Sequence, residues 1–339
     1  MRMWAQLTGL RPLYQYLMFL SARRCTNLEN KKKKKNSGIG FLIDNIRHHK
    51  LLYLMALPVI IYYLVFHFLP MFGLIISFQR YVPSKGYFGS EWVGLDNFTR
   101  FFKDIYFGRL LKNTFQINLL DLIIGFPAPI IFALMLNEIG SMKFKKITQT
   151  ITYMPYFISL VVICGLISTF TKESGPISYV ISAITGKEPQ NLLASPGAFQ
   201  PLYVITNIWQ GFGWGSIIYF ASLSNVDPEL YEAAAIDGAG RFRRMLSVTL
   251  PAIAPTIVIM LILRIGNMMS LGYEKIILLY SPITYSTADV ISSYVYRVGL
   301  VQMDYSYGSA VGLFNSLINL VLIVGANWVS QRVNETSLW

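Results

Sequence analysis

At 339 residues the chain is long enough for two average soluble domains, but its composition argues against a soluble protein. Hydrophobic residues make up 54% of it and charged residues only 14%, whereas an average soluble domain has roughly 25% charged residues. So few polar side chains cannot cover the surface of the protein, and lipid is therefore expected to be part of its solvent. The formal net charge is +12, and the informative feature is where the cations lie.

Neither the cysteines nor the histidines predict a metal site or a disulfide framework. Cys25 and Cys164 are far apart in segments of different character, and the three histidines are His48, His49 and His67. We therefore expect no resident metal or cofactor in this chain.

Six stretches are long and apolar enough to cross a hydrocarbon core of roughly 30 Å, which takes about 20 residues of helix. Each is predicted to be helical, because lipid offers no hydrogen-bond partner to an open backbone. The sequence thus predicts an all-α polytopic membrane protein, multi-pass in the cell membrane, with a six-helix domain over 51–330. The predicted spans are residues 51–78, 113–137, 151–170, 202–223, 251–270 and 308–329.

Lysine and arginine predict the orientation of these spans. Cations crowd residues 1–50, where Lys31 to Lys35 form a run, and they recur in the second-to-third and fourth-to-fifth connections. Connections rich in Lys and Arg stay in the cytoplasm, so both termini are predicted to be cytoplasmic, including a short tail over 331–339. The loop 79–112 also carries cations, but it is predicted to be extracellular because it follows the first span of a chain that starts in the cytoplasm. We interpret the basic N-terminal segment as a solvated tail that sets topology; attachment to anionic lipid is the alternative, and nucleic-acid binding is not expected.

The connection between the fourth and fifth spans contains a predicted helix-turn-helix. Asp227 followed by Pro228 is a strong helix start. Ala233 to Ala235 give that helix a smooth surface, and Gly238 permits a left-handed turn before a second helix over 241–250. Taken alone, these features also fit a capped helix pair that only shortens the connection.

A longer pattern favours a functional interpretation of this connection. The run Glu232-Ala233-Ala234, with Gly238 four residues later and then Val248-Thr249-Leu250-Pro251, resembles the EAA signature of ABC-importer permeases. Within that superfamily, the stretch from Tyr231 to Ala239 is similar to the carbohydrate-uptake branch, of the maltose type.

The resemblance extends beyond this connection. It also covers residues 92–98 after the first span. Residues 288–291 and 326–328 are similar to permeases of complex-oligosaccharide systems in Gram-positive bacteria. Two positions depart from the signature: Met245 stands where an aromatic residue is common, and Val248 replaces a usual Ile. Both substitutions keep an apolar face.

The resemblance implies a type I ABC-importer permease fold in which the cytoplasmic loop 224–250 couples the membrane helices to a separate ATPase subunit. The chain has no G-x-x-x-x-G-K-[ST] motif, so ATP and magnesium are expected on the ATPase subunits and the chain is a translocation subunit, not an enzyme. The implied partners are two ATPase subunits, an extracellular solute-binding protein and a second homologous permease, with a heterodimer favoured. The implied ATPase-coupling residues are Glu232, Ala233, Ala234, Asp237, Gly238 and Ala239.

Two ionisable residues lie inside predicted spans, and such residues are functional candidates. Asp121 in the second span and Arg264 in the fifth lie at similar depth. Either they pair with each other, or Arg264 faces the passage and receives the carboxylate of an acidic sugar. Asn315 and Asn319, on one face of the sixth span, are predicted to form interhelical hydrogen bonds.

A passage for sugars is expected to combine aromatic rings with amides, because sugars have apolar ring faces and a fringe of hydroxyl groups. The fourth span offers Trp209, Gln210 and Trp214, and the fifth offers Asn267. The resemblance to maltose-type permeases implies a sugar site in the same two stretches. Ordinary helix packing, or an interfacial position, is the alternative for each of these residues.

The combined prediction is the permease subunit of an ATP-driven importer that receives oligosaccharides from the binding protein and moves them inward by alternating access. Polysaccharide fragments and acidic sugars are candidate cargoes, and the outer connections 171–199 and 271–307 are long enough to form a docking surface. An ABC-importer permease for a non-sugar solute is the main alternative. A membrane-embedded glycosyl- or lipid-modifying enzyme would need a carboxylate cluster or metal motif, which the sequence lacks. Inverted repeats would favour a channel or secondary transporter.

Overall fold

The computed structural model describes residues 48–334. The lysine run of the predicted basic segment and the last five residues of the predicted tail lie outside the described residues. The chain divides into two compact units between Gly73 and Leu74. The described part of the first unit is a helical run with no buried residue, formed by Lys50–Tyr63, a π-helical turn at Leu64–Phe68 and a short helix at Leu69–Met71.

Within residues 48–334, four helices are long and apolar enough to cross a membrane, and one bent pair of helices would make a fifth. The bent pair consists of Met142–Phe157 and Leu160–Thr171. These elements confirm the predicted class, a helical polytopic membrane protein. The four long helices are Lys50–Phe78, Phe107–Glu138, Arg241–Gly266 and Tyr305–Arg332.

A further long helix, Pro196–Leu223, has 28 residues but is not apolar enough to be grouped with the four. It begins after Ser195 with a proline at its first turn, where the missing N–H costs nothing. Polar side chains lower its hydropathy, among them Asn207 and Gln210. Such a helix is suited to line a cavity on one side and to pack against apolar neighbours on the other.

The segment predicted as one helical span over 151–170 is broken by a bend. A 3-10 turn at Met154–Phe157 follows the helix Met142–Tyr153, and the next helix begins only at Leu160 after two extended residues. The two halves meet at an angle of 97°. Pro155 lies in the turn and cannot donate the backbone hydrogen bond that a continuous α-helix would need at that position.

Glycine allows the bent pair to approach the helix Pro196–Leu223 closely. A Cβ added at Gly213 would overlap the carbonyl oxygen of Thr152, whereas a Cβ at Gly211 would meet no atom within 4 Å. The backbone contact between these two elements therefore depends on the absence of a side chain at one position.

The segment predicted as an outer connection over 271–307 is folded into short helices that are largely buried. Ile276, Val290 and Ile291 are inaccessible to solvent. Asp289 is also buried and forms an ion pair with Arg297 at 2.6 Å. The helical pieces are Tyr273–Leu279, Pro282–Thr284, Tyr285–Ala288, Ile291–Tyr296 and Arg297–Val301.

The remaining short elements surround the long helices. A two-residue antiparallel ribbon pairs Gln79–Arg80 with Glu91–Trp92, in the register Gln79 opposite Trp92. Asn319 accepts a hydrogen bond at 2.9 Å from the amide of Met269, which lies in the turn after the helix Arg241–Gly266. The buried Oδ1 of Asn315 has no hydrogen-bond partner within residues 48–334. The other short helices are Gly86–Gly89, Asp96–Phe102, Pro176–Thr185 and Leu192–Ala194.

We expect Gly213→Ala to destabilise the protein, because the added methyl group would push the helix away from the Thr152 carbonyl. Overpacking of this kind costs about 1–3 kcal/mol. Gly211→Ala is the matched control: it lies in open space on the same helix and gains about 1 kcal/mol of helix propensity. Thermal unfolding of the detergent-solubilised protein should give a lower Tm for the first variant only. Equal Tm values for the two variants would contradict the close contact.

Candidate functional site

Two cavities lie between the helices Phe107–Glu138, Pro196–Leu223 and Arg241–Gly266. The first cavity has a volume of about 310 Å³ and the second about 430 Å³. They share four side chains, which are all polar and mark the place where the cavities meet. These are Asp121, Asn207, Arg264 and Asn267.

Asp121 and Arg264 form an ion pair at this place. The Asp121 side chain is 5% exposed, whereas that of Arg264 is 47% exposed. Asn207 Nδ2 donates a hydrogen bond to Asp121 Oδ1 at 3.1 Å, so the carboxylate has partners on two other helices. Gly125 leaves room for it, since a Cβ there would lie 2.7 Å from Asp121 Oδ1. The two residues therefore pair, and Arg264 lines both cavities as well.

Three of the five residues predicted to line a passage border these cavities. Gln210 lines the first, and Arg264 and Asn267 line both. Amide groups beside a neutralised ion pair offer hydrogen-bond donors and acceptors with little net charge, which suits a ligand that carries many hydroxyl groups. No group of three His, Cys, Asp or Glu side chains in residues 48–334 could hold a metal ion.

The two predicted tryptophans lie elsewhere. Trp209 follows Asn207 by two residues, about 200° around the helix, and borders neither cavity. Trp214 is stacked on Tyr156 of the bent pair, with ring centroids 4.8 Å apart. The aromatic ring that does border the first cavity belongs to Tyr203.

Lys275 lines the first cavity and is not singled out by the sequence analysis. It lies in the segment expected to be an outer connection, yet it is 4% exposed, and its Nζ has no hydrogen-bond partner in the part of the chain that the structure describes. Nζ lies 5.2 Å from the centroid of the Tyr203 ring. The sequence feature that could have indicated the burial of Lys275 is the apolar run from Ile276 to Leu279 that follows it. The other polar lining residues that were not predicted from the sequence, apart from Tyr203, are Asn118, Asn207, Ser270 and Glu274.

The predicted helix-turn-helix is present in the connection that follows the helix Pro196–Leu223. Its first helix is Pro228–Ile236, and the Asp227 carboxylate caps it by accepting a hydrogen bond from the Glu229 amide at 2.9 Å. Gly238 has a φ of +75°, the left-handed conformation expected of it. The chain then enters helix again at Arg241.

Several side chains of this loop project into open space. Ile236 is 88% exposed, and Leu230 and Phe242 are also exposed. Ala233 is exposed beside them. Apolar side chains grouped on one short loop indicate a surface for a partner protein. Among the implied coupling residues, Glu232, Asp237 and Gly238 are likewise exposed, and Ala234 and Ala239 are half-buried.

Residues 125–335 contain this loop and much of the cavity wall, and they match the family described as the inner membrane component of binding-protein-dependent transport systems. The chain belongs to this family. As such a permease it is a translocation subunit of the plasma membrane and not an enzyme. It works with a partner permease, ATPase subunits and a binding protein.

The permease is similar to two proteins of Bacillus subtilis (strain 168). It is 43% identical to protein LplB, over 87% of this chain and 92% of that protein. It is 42% identical to YteP, a polygalacturonan/rhamnogalacturonan transport system permease protein, over 91% of this chain and 95% of that protein.

A solved structure has the same fold. It is a bacterial ABC transporter involved in the import of the acidic polysaccharide alginate, and its chain is 42% identical to this permease with a TM-score of 0.79. The match covers 86% of this permease and 99% of that chain. The permease therefore has the type I ABC-importer fold that the resemblance implied.

We expect Arg264→Gln to destabilise the permease more than Asp121→Asn. The first change leaves a buried carboxylate without its cation, whereas the second leaves a half-exposed guanidinium that water can solvate. Removing one member of a buried pair costs about 3–5 kcal/mol, and we expect about 2 kcal/mol here because one partner is half-exposed. Thermal unfolding of the detergent-solubilised complex measures both effects.

The double variant Asp121→Asn/Arg264→Gln provides the control. Neither charge then remains, so the double variant should be more stable than Arg264→Gln alone. Additive losses of stability would contradict direct pairing.

Proposed function

We propose that this permease moves oligosaccharides into the cell by alternating access, driven by ATP hydrolysis on partner ATPase subunits. The observation that carries the proposal is the course of the helix Arg241–Gly266. It begins at the exposed loop, and Arg264 near its other end lines both cavities. This single helix would therefore transmit a displacement of the loop to the cavities.

The loop is proposed to enter a cleft of an ATPase subunit. Exposed Ile236 and Phe242 would provide apolar contacts, and the small Ala233 would let the two surfaces approach closely. Exposed Glu232 and Asp237 would provide charged contacts at the rim. Closure of the ATPase subunits on ATP would then displace the helix that continues from the loop, a switch by a rigid element.

The cavities are proposed as part of the sugar passage. Gln210 and Asn267 would bind hydroxyl groups, Arg264 would do so while paired with Asp121, and Tyr203 would contact an apolar ring face. Relatives named for oligosaccharides support a sugar cargo, including the arabinooligosaccharide permease AraP of Bacillus subtilis, which is 30% identical. A relative named for sn-glycerol-3-phosphate, UgpA of Yersinia pestis, is 27% identical over a shorter stretch.

Six spans with both termini in the cytoplasm are proposed as the topology. The four long helices and the bent pair account for five, and the helix Pro196–Leu223 would be the sixth. Its low hydropathy is compatible with a span because its polar side chains line cavities rather than lipid. An even count places the arginines of the coupling loop and the basic N-terminal segment on one side, as the positive-inside rule requires. The second permease is proposed to be a homologous but different chain.

Uptake into proteoliposomes tests the transport function. The complete complex is reconstituted with its binding protein outside and ATP inside, and labelled oligosaccharides are supplied outside. We expect accumulation that requires both ATP and the binding protein. The proposal would be contradicted if no ATPase subunit copurified with the permease, or if uptake did not depend on ATP.

Ala233→Trp tests the coupling surface. The large ring on an exposed position should leave the fold intact but block entry into the ATPase cleft, so we expect the ATPase subunits recovered with the permease to fall about tenfold, a loss of about 1.4 kcal/mol of association.

Ala183→Trp is the matched control. It makes the same change at an exposed position of the helix Pro176–Thr185. It should retain the ATPase subunits at the level of the unmodified permease. Equal retention by both variants would rule out the proposed contact.

A further inference from the structure

Lys275 is a buried cation without a partner of opposite charge. Its side chain lies against the first cavity, and no ion pair to it forms within residues 48–334. Its Nζ has no hydrogen-bond partner there either. An ammonium group removed from water is costly to the fold unless an anion or several acceptors compensate it.

The groups around Lys275 compensate it only in part. The Tyr203 ring provides a cation–π contact, with Nζ 5.2 Å from the ring centroid. Glu274 borders the same cavity, but its side chain is exposed and does not pair with Lys275. The other carboxylate, Asp121, is already paired with Arg264. One positive charge is therefore left over at the cavity wall.

The charge of the ammonium group persists at neutral pH. Burial lowers the pKa of Lys275 to about 8, against a small opposing effect of Cys164. At pH 7 the group is thus mostly protonated. The titratable and charged side chains near it are Cys164, Tyr203, Glu274, Asp121 and Arg264.

We infer that Lys275 binds a carboxylate group of the translocated oligosaccharide, so that the cargo contains uronate units. The inference rests on the proposed oligosaccharide import and names its substrate class. A monoanionic sugar matches the single leftover charge. A neutral sugar would leave the ammonium uncompensated, and the amides of Asn118, Asn207 and Gln210 on the same wall suit the hydroxyl groups of the same sugar unit.

The test compares acidic and neutral cargo on the complete complex. The complex with its binding protein is assembled in nanodiscs, and ATP hydrolysis is followed against a mixture of oligogalacturonides and alginate oligosaccharides. A second mixture is the same material after reduction of its carboxylates to alcohols. We expect stimulation by the acidic mixture. A complex stimulated only by the neutral mixture overturns the inference and leaves oligosaccharide import intact, whereas stimulation by neither counts against both.

Lys275→Met retains the unbranched shape and most of the length of the side chain and removes its charge. We expect it to raise the half-maximal concentration of the acidic mixture at least tenfold. Lys143→Met, at an exposed position of the helix Met142–Tyr153 that borders neither cavity, is the control and should not change that concentration. An unchanged response of Lys275→Met to the acidic mixture would overturn the inference.

Thermal stability separates ligand binding from a structural role. Without ligand, Lys275→Met should have a Tm equal to or above that of the unmodified complex, because an uncompensated buried charge is removed. A lower Tm would show that the lysine holds the fold together and would overturn its assignment to ligand binding. One measurement needs no variant: the acidic mixture should raise the Tm of the unmodified complex without its binding protein, and the neutral mixture should not. No shift with the acidic mixture would overturn the inference.

Discussion

The ion pair between Asp121 and Arg264 is the interaction on which the centre of the molecule depends. A carboxylate inside a helical bundle is costly unless a cation and hydrogen-bond donors surround it. Asp121 receives both, from the helix Arg241–Gly266 and from Asn207 on the helix Pro196–Leu223. Three helices thus meet at one carboxylate, and this carboxylate lines both cavities.

The helix that supplies Arg264 to this ion pair also connects the cavities to the helix-turn-helix loop. The helix that carries Arg264 has 26 residues, which corresponds to about 39 Å at 1.5 Å per residue, and it begins at Arg241 directly after the turn at Gly238. Its regular hydrogen bonding is interrupted by a π-helical turn at Met245–Thr249 and by Pro255, but the helix continues through both. The proposed coupling therefore does not need a series of small side-chain shifts, since this one helix extends from the loop to the cavities.

The loop was predictable because its structure depends on local interactions. The cap by Asp227, the proline at the first helical position and the left-handed Gly238 each involve residues close in sequence. The bend between Met142–Phe157 and Leu160–Thr171 was less accessible. Apolar content alone predicts a membrane helix there, and a proline within such a helix is often tolerated by a packed bundle.

By itself, the sequence determined that the protein is a helical membrane permease, where its helix-turn-helix loop lies, and that Asp121 and Arg264 are candidates for pairing inside the helical bundle. These features follow from composition and from patterns over a few residues. Only the tertiary structure decided which side chains share a cavity: it placed Gln210 and Asn267 there, turned Trp209 and Trp214 away, and buried Lys275 against Tyr203. Cavity walls are assembled by packing segments that are distant in sequence, and no local pattern records that packing.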